Sequence, residues 1–382
     1  MQEIKLGKVY KTKRNGKDYY RCDAVVETKP KPFRKSFGSL KRYEVLEKRD
    51  AWVEKYKDLK FEDNDGFGYL FKLWVYTVKK RKISGVSLKP YITSYNKRIK
   101  DYFIADIKIV EIDNKDAEAY IEELKKDNTL PSIKKTLTHI NSFFKYAIEN
   151  RIVKFNPFVS IEIKTTAKKR DAYTSEEQKI ILENLDYQDP VELVIYTALV
   201  AGLRLGECLG LTIDDFKNGG LDINKQYNLV CEIIDDKEVY SYEVIDLKTE
   251  SSERFVPLPA QACSIIEDRI LKIKELNLKS GFKYNPDNLL FCDENGKHIE
   301  IKRPTRRLKK ICKDNNIEYK TLHSLRHTYI TRLAESKVQP KVAQALAGHK
   351  DFNTTMNVYT HVHDNIKKEA IEIIDDLKVF NI

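Results

Sequence analysis

The sequence predicts a mainly helical α+β protein with small β elements, and three observations support that prediction. Gly and Pro are scarce, at 14 and 11 of 382 residues, which favours helices over a turn-rich all-β fold. Apolar residues recur at three- and four-residue spacing over long stretches, as they do on helices packed against a core. Segments that alternate like strands are short. Because 41% of the residues are apolar, the chain can fill the cores of two or three domains, which excludes a mostly disordered protein.

The first 43 residues are strongly basic, with 13 Lys and Arg against 4 Asp and Glu, and so hold most of the net charge of +11. Asn15-Gly16 is a strong turn signal between two strands, and residues 33–37 are strand-like as well. A charge-rich helix follows. We therefore predict that residues 1–62 form a small basic domain with three strands and one helix.

A basic sheet with interleaved aromatic residues suits insertion into a DNA groove. The alternative interpretation is a basic face that is merely solvated. The cations expected to contact DNA are Lys11, Lys13, Arg14, Lys17, Arg21, Arg34 and Lys35.

Residues 63–163 are expected to form a helical domain. One apolar stripe at helical spacing lies near its start and a second lies near its end, and each predicts a helix packed on a core. The stripes comprise Phe67, Leu70, Phe71, Trp74, Val78, Ile133, Leu137, Ile140, Phe143, Phe144 and Ala147.

A third domain is expected after a linker over 164–173. Thr174-Ser-Glu-Glu177 matches a capping box, in which Thr174 caps a helix and Glu177 reaches back. We place this domain over 174–363, helical apart from one β region. That region is expected to hold a β-hairpin and a third strand of a small sheet, over residues 228–234, 239–247 and 254–258.

Four short motifs stand in this third region, and their order and spacing carry the functional argument. They are Gly202-Leu-Arg-Leu-Gly-Glu207, Leu247-Lys-Thr-Glu-Ser-Ser-Glu-Arg254, Leu322-His-Ser-Leu-Arg-His327, and Leu346-Ala-Gly-His349 followed by Thr355-Met-Asn-Val-Tyr-Thr-His361. With these motifs the chain resembles the tyrosine recombinases, the phage-integrase family of DNA strand-exchange enzymes. Ser324 departs from the Asp that the family often has between the histidine and the leucine.

The resemblance implies a set of catalytic residues with Tyr359 as the nucleophile and Glu207 in support. The set is Arg204, Lys248, His323, Arg326, His349 and Tyr359. Each residue alone has a plainer interpretation, such as a surface ion pair for Arg204 with Glu207 or an ordinary turn lysine for Lys248. His323 and His327 have the spacing of a metal-binding pair, but no Glu follows His323 to complete the motif.

The chemistry of phosphodiester exchange independently favours these residue types. Two guanidinium groups can hold the non-bridging oxygens of a five-coordinate phosphorus through fixed hydrogen bonds, without a metal. A tyrosine hydroxyl, with a usual pKa of about 10, must lose its proton as it attacks, and His323 is the expected base. Lys248 is the expected acid for the leaving 5′-oxygen. We expect no metal and no cofactor, and none of the six cysteines forms a Cys-x-x-Cys pair.

The resemblance implies site-specific integration and excision of a mobile element, a prophage or an integrative transposon, through a 3′-phosphotyrosine intermediate. Residues 1–62 would bind arm-type DNA sites, and the helical and catalytic domains would clamp the core site. The expected assembly is a homo-tetramer on synapsed DNA, with a small excision factor and a DNA-bending host protein as candidate partners. The tail over 364–382 is expected to dock into a neighbouring protomer, the alternative being packing on its own domain.

Three other functions remain open from the sequence. They are a DNA-binding regulator that has lost cleavage, a type IB topoisomerase or resolvase, and a chromosome-maintenance recombinase. No apolar run approaches the roughly 20 residues needed to span a bilayer, and the N-terminus lacks a secretory signal. We therefore expect a bacterial cytoplasmic protein, associated with the nucleoid and not with a membrane.

Overall fold

A computed structural model describes residues 4–14, 17–26, 33–57, 65–165, 172–247, 252–280 and 284–362. The chain divides into two compact units, residues 1–166 with 230–240 and residues 167–229 with 241–382. The described residues form thirteen α-helices and nine short strands, so the predicted mainly helical α+β fold is confirmed. Within those ranges, no helix combines the length and the apolar character needed to cross a membrane.

The first unit begins with an antiparallel sheet and a helix. These elements are β1 (Ile4–Leu6), β2 (Tyr10–Arg14), β3 (Lys17–Val26), β4 (Phe33–Ser39) and α1 (Arg42–Lys57). β3 pairs with each of the other three strands, so the three predicted strands are present together with the short β1. Arg14 pairs with Lys17 across the predicted hairpin, whose turn residues lie outside the described ranges.

Four helices with a shared aromatic core follow. They are α2 (Phe67–Thr77), α3 (Gly85–Arg98), α4 (Asn114–Asp127) and α5 (Leu130–Glu149). Both predicted apolar stripes contribute to this core, and only Val78 among their members is partly exposed. The ring centroids of Trp74 and Phe143 lie 5.5 Å apart. The helical prediction for this region is therefore confirmed.

The middle of a later β-hairpin also belongs to this unit. Cys231 and Ile233 are buried in the same core. The Glu238 carboxylate accepts hydrogen bonds from the Tyr76 hydroxyl at 2.7 Å and from the Asn96 side-chain amide at 2.8 Å. Residues 230–240 are therefore part of the helical unit in packing, although they are distant from it in sequence.

The second unit contains the remaining elements. Its helices are α6 (Ser175–Glu183), α7 (Pro190–Val200), α8 (Leu205–Gly210), α9 (Ala260–Lys279), α10 (Lys302–Asp314), α11 (Leu322–Glu335), α12 (Pro340–Ala347) and α13 (Phe352–Val362). Its strands are β5 (Phe216–Lys217), β6 (Gly220–Ile223) and β9 (Arg254–Pro257). The hairpin strands β7 (Lys225–Ile234) and β8 (Lys237–Asp246) belong to this unit outside residues 230–240. The Thr174 capping box is confirmed, because Thr174 Oγ1 accepts from the Glu177 N–H at 3.1 Å.

One strand prediction needs correction. The hairpin of β7 and β8 is present, but β9 does not join it to make one three-stranded sheet. Instead β9 pairs with β6, which places the buried Leu221 opposite the buried Val256. β6 had no predicted counterpart, because local alternation indicates that a segment is extended and does not indicate its partner. The predicted domain boundaries stay predictions, and most of the predicted linker lies outside the described ranges.

Candidate active site

Arg204 stands at the start of α8, and Glu207 holds it there. The backbone N–H of Arg204 donates to one carboxylate oxygen of Glu207 at 2.9 Å, and its Nη1 donates to the other at 2.5 Å. The chain reaches this point through Gly202, whose φ is +65° and where a Cβ would lie 2.2 Å from the ring of Tyr329. The Arg204 side chain remains 38% exposed. Its guanidinium is thus fixed along one edge and open to solvent along another.

Glu207 is the carboxylate that the described residues place at the centre of three arginines. Its side chain is fully buried, with Arg254 Nη2 at 2.9 Å and Arg326 Nη1 at 3.9 Å from its Oε2. Burial disfavours the charged form, but Arg254 and Arg204 outweigh that effect, so the pKa of Glu207 lies below its usual value. One negative charge against three positive charges leaves the cluster electropositive, which suits an anionic ligand.

Arg326 lies in α11 with only 1% of its side chain exposed. Its Nη1 donates to the Gly202 carbonyl at 2.9 Å, whereas Nε and Nη2 are buried without a hydrogen-bond partner among the described residues. Leaving a buried donor unsatisfied costs about 1–3 kcal/mol, and more for a charged group. Burial and the neighbouring Arg204 lower the pKa of Arg326 to about 9, so the group stays charged at neutral pH. These two donors are prepared for an acceptor that a substrate can supply.

The two predicted histidines lie near this cluster. His323 is exposed in the first turn of α11. The next residue, Ser324, forms a capping box with Thr321, in which each backbone N–H donates to the other residue's hydroxyl at 3.2 Å. His349 follows Gly348 at the end of α12. Arg204 Nη2 donates a hydrogen bond to the Gly348 carbonyl oxygen at 3.3 Å. Burial lowers the pKa of His349 to about 3, and Arg326, Arg204 and His323 act in the same direction. His349 is therefore neutral at physiological pH, with its Nδ1 3.0 Å from the Thr355 hydroxyl.

Tyr359 lies in α13 in a different environment from the arginines. The residue is 1% exposed and packs with Ile330, Ala334, Ala343 and Ala347. Its hydroxyl donates to the carbonyl oxygen of Val338 at 2.8 Å. Burial raises the pKa of Tyr359 above its usual value. In this arrangement the hydroxyl is bonded to the backbone, and this bond must break before the oxygen can attack a phosphorus.

The structure thus groups four predicted residues, Arg204, Glu207, Arg326 and His349, with His323 close enough to affect the pKa of His349. Lys248 and the tail over 364–382 lie outside the described residues. No three His, Cys, Asp or Glu side chains within the described part of the chain are grouped as metal ligands.

Three features were missed from the sequence. Arg254 belongs to the second motif but was given no role. The ring of Tyr329 lies beside Gly202, and Arg254 and Arg326 oppose the rise that burial produces in its pKa. Helix α10 is densely basic, and its exposed lysines are Lys302, Lys309, Lys310 and Lys313. The seven Lys and Arg residues within α10 are visible in the sequence and could have indicated this basic helix.

The strand register separates the predicted DNA-binding cations onto two faces of the N-terminal sheet. Cys22 and Ala24 are buried, and the Cys22 thiol lies 3.9 Å from the carbonyl oxygen of Val45 in α1, so this face is the one that the helix covers. Residues paired across antiparallel strands share a face. Arg21 therefore lies on the face opposite α1, and Lys11 and Lys13 lie on the helix-side face, whereas the side chains of Arg14, Lys17, Arg34 and Lys35 lie outside the described part of the structure.

The fold and the grouping of two arginines with a buried glutamate and a histidine point to a class of enzymes, the tyrosine recombinases. The model of the phage integrase family matches residues 172–365, just over half of the chain. The chain belongs to the phage integrase family. It is a site-specific DNA recombinase of the tyrosine class.

Relatives and solved structures agree with this assignment. A XerC-like tyrosine recombinase of Caldanaerobacter subterraneus subsp. tengcongensis is 28% identical, over 95% of this chain and 97% of that protein. The ICEBs1 integrase of Bacillus subtilis is 27% identical, over 74% of this chain and 75% of that protein. The Tn1549 transposon integrase, solved in complex with a circular intermediate DNA, has a similar fold, with a TM-score of 0.66 and 18% identity over 81% of this chain and 99% of that one.

Proposed function

We propose that this recombinase integrates and excises a mobile element at specific DNA sites through a 3′-phosphotyrosine intermediate. The observation that carries the proposal is the pair of buried Arg326 donors that have no partner among the described residues, beside the partly exposed side chain of Arg204. A non-bridging phosphate oxygen supplies the acceptor that these donors lack. Integrases of an integrative element and of a transposon among the similar proteins support the mobile-element context.

Each reacting group has a defined task in this proposal. Arg204 and Arg326 hold the non-bridging oxygens, and the neutral His349 donates a further hydrogen bond. Tyr359 leaves the Val338 carbonyl, His323 accepts its proton, and the phenolic oxygen forms a bond to phosphorus as the bond to the 5′-oxygen breaks. Lys248 gives the 5′-oxygen its proton. Rejoining reverses these steps with a second 5′-hydroxyl, and because one phosphoester replaces another at each step, no ATP is consumed.

The assembly follows from the number of strands. Recombination of two duplexes cuts four strands, and each cut uses one tyrosine, so four protomers are required. We assign residues 63–163 and 174–363 to the core DNA site and residues 364–382 to contact between protomers. A small excision factor and a DNA-bending host protein complete the proposed partners.

The proposal is tested with a nicked duplex that carries the crossover sequence, recovered by sequencing the DNA that flanks the gene. The nick lets the cleaved strand diffuse away and traps the covalent protein–DNA adduct. Wild-type protein should form the adduct in EDTA, and Tyr359→Phe should form none while still binding the duplex, because it lacks the attacking oxygen.

Tyr329→Phe is the matched control, since Tyr329 is the tyrosine beside the arginines in the described structure. It should retain the adduct. An adduct that persists in Tyr359→Phe and disappears in Tyr329→Phe would show that the nucleophile is misassigned. No adduct from wild-type protein would leave a DNA-binding regulator, and relaxation of plasmids without the site would favour a topoisomerase.

We further propose that the N-terminal sheet binds arm-type sites with the face opposite α1. Arg21 is exposed on that face, whereas Lys11 on the other face forms a 2.7 Å ion pair with Asp18. Arg21→Ala should therefore weaken binding to duplexes from outside the core site, and Lys11→Ala should not. Gel-shift titrations at fixed salt measure both, and equal effects of the two variants would contradict the assignment of the face.

A further inference from the structure

Arg254, at the start of β9, is bonded into the centre of the candidate site. Its side chain is 6% exposed, and its Nη2 donates to Glu207 Oε2 at 2.9 Å. Its Nε donates to the carbonyl oxygen of Leu346 at 2.8 Å, and its Nη1 donates to that of Ser252 at 3.1 Å. All three nitrogens of this guanidinium are thus engaged by the protein itself.

Arg254 differs in this respect from the two arginines assigned to the phosphate. Arg204 keeps 38% of its side chain exposed, and Arg326 has two nitrogens without a partner among the described residues. Arg254 has neither an open edge nor an unused nitrogen. It is therefore unsuited to contact DNA and well suited to hold other groups in place.

The partners of Arg254 lie in two distant segments that carry reacting groups and in the segment of Arg254 itself, after Lys248. Glu207 holds Arg204, Leu346 lies three residues before His349, and Ser252 lies four residues after Lys248. The fit extends to Gly348, which has a φ of +62° and where a Cβ would lie 2.9 Å from Arg254 Nη1. One buried side chain therefore connects parts of the site that are distant in sequence.

We propose that Arg254 is a positioning residue for strand cleavage, which keeps Arg204, through Glu207, in register with His349. This role rests on the proposed function, because it takes those residues to act on the scissile phosphate. A misplacement of about 1 Å in a reacting group can cost roughly 10²-fold in rate. The effect should fall on the cleavage step and not on DNA affinity, since all three guanidinium nitrogens of Arg254 are bonded within the protein.

The experiment uses the full chain and the nicked crossover duplex. Arg254→Met and Arg254→Lys are compared with wild type for the rate of adduct formation at saturating duplex and, separately, for the dissociation constant of that duplex. Arg254→Met should slow the adduct about 10²-fold with an unchanged dissociation constant. Arg254→Lys should recover part of the loss, because an ammonium keeps the charge beside Glu207 but lacks the planar fork that reaches Leu346 and Ser252.

Arg269→Met is the matched control, because Arg269 is also buried and donates to the carbonyls of Leu290 and Cys292. It should lower the melting temperature and leave the cleavage rate of the folded protein at the wild-type value.

A wild-type rate in folded Arg254→Met would overturn the positioning role, as would a loss of affinity equal to the loss of rate. If Arg254→Met does not fold, Arg254→Lys decides in the same way. Wild-type protein that forms no adduct fails the proposed function and the positioning role with it, whereas a wild-type adduct with wild-type rates for both variants overturns the positioning role alone.

Discussion

The arginine side and the tyrosine side of the candidate site differ in how firmly each is held. On the arginine side, Glu207 is fully buried and bonded to Arg204 and Arg254. On the tyrosine side, the Tyr359 hydroxyl donates a neutral hydrogen bond to the Val338 carbonyl, and its ring lies in a small apolar cluster. Both sides lie in the second unit, and among the described residues the arginine side has the charge and the unpartnered donors that a phosphate requires.

The difference shows which side can rearrange. Removing one partner of a buried ion pair costs about 3–5 kcal/mol, because the other charge remains buried and uncompensated. A neutral hydrogen bond contributes only about 0.5–1.5 kcal/mol. The buried ion pairs of the cation cluster are therefore costly to break, whereas the hydrogen bond between Tyr359 and Val338 is the weaker of the two kinds of contact. In the proposed function, the cation cluster is already formed in the folded chain and only the tyrosine hydroxyl has to change its partner.

Glu207→Gln should produce the largest effect, because it breaks the firm side. The variant loses the charge that orients Arg204, so adduct formation at saturating duplex should fall by about 10²–10³-fold, as when one preorganised donor is lost. Its free energy of unfolding should fall by about 3–5 kcal/mol. Single-turnover cleavage and urea unfolding measure the two quantities.

Glu192→Gln is the control for that variant. Glu192 is a buried carboxylate as well, 2.6 Å from Arg307 Nε, but it does not contact Arg204 or Arg326. It should lose stability and keep the cleavage rate. Equal loss of rate in both variants would mean that stability alone accounts for the effect of Glu207.

A smaller loss of stability is expected when the pH is lowered, because His349 is half-buried in its neutral form. The folded state resists protonation of His349 down to about pH 3, whereas the unfolded chain takes up that proton near pH 6.5. The unfolded state therefore binds more protons within this window, and stability is lost as pH falls through it. A plot of the free energy of unfolding against pH therefore has a slope to which His349 contributes at most about 1.4 kcal/mol per pH unit. His349→Gln should remove that contribution.

Urea unfolding at pH 7, 6 and 5 measures this slope. His139 in the first unit has a pKa lowered by burial to about 4 and contributes a slope of its own, so the quantity to compare is the difference between wild type and variant. If the free energy of unfolding changed with pH equally in wild type and variant, the prediction would be contradicted.

The smallest effect on the free energy of unfolding is expected on the tyrosine side. Tyr359→Phe removes the hydroxyl that donates to Val338 and leaves the ring in its apolar cluster, so the free energy of unfolding should fall by about 0.5–1.5 kcal/mol. A loss as large as that of Glu207→Gln would show that both sides are held equally firmly, and the comparison would then fail.

Much of the fold could be predicted from local pattern. The apolar stripes of α2 and α5 are buried as expected, and the Thr174 capping box forms, because helical spacing and caps depend on residues only three or four apart. The partner of β9 could not be predicted in this way, since strand pairing depends on which distant segments pack together. The division of Arg21 and Lys11 between two faces of one sheet likewise needed the register.

The motifs along the chain were enough to predict the reacting groups, because the chemistry of phosphodiester exchange restricts which side chains can serve and the motifs place them in a known order. The arrangement of those groups could not be predicted in this way, since it depends on tertiary contacts. The tertiary structure revealed the bonds of Arg254 to two distant segments, the Arg326 donors that have no partner among the described residues, and the bond between Tyr359 and Val338. These features depend on contacts between residues that lie far apart in the chain, and the spacing of residues along the sequence does not specify them.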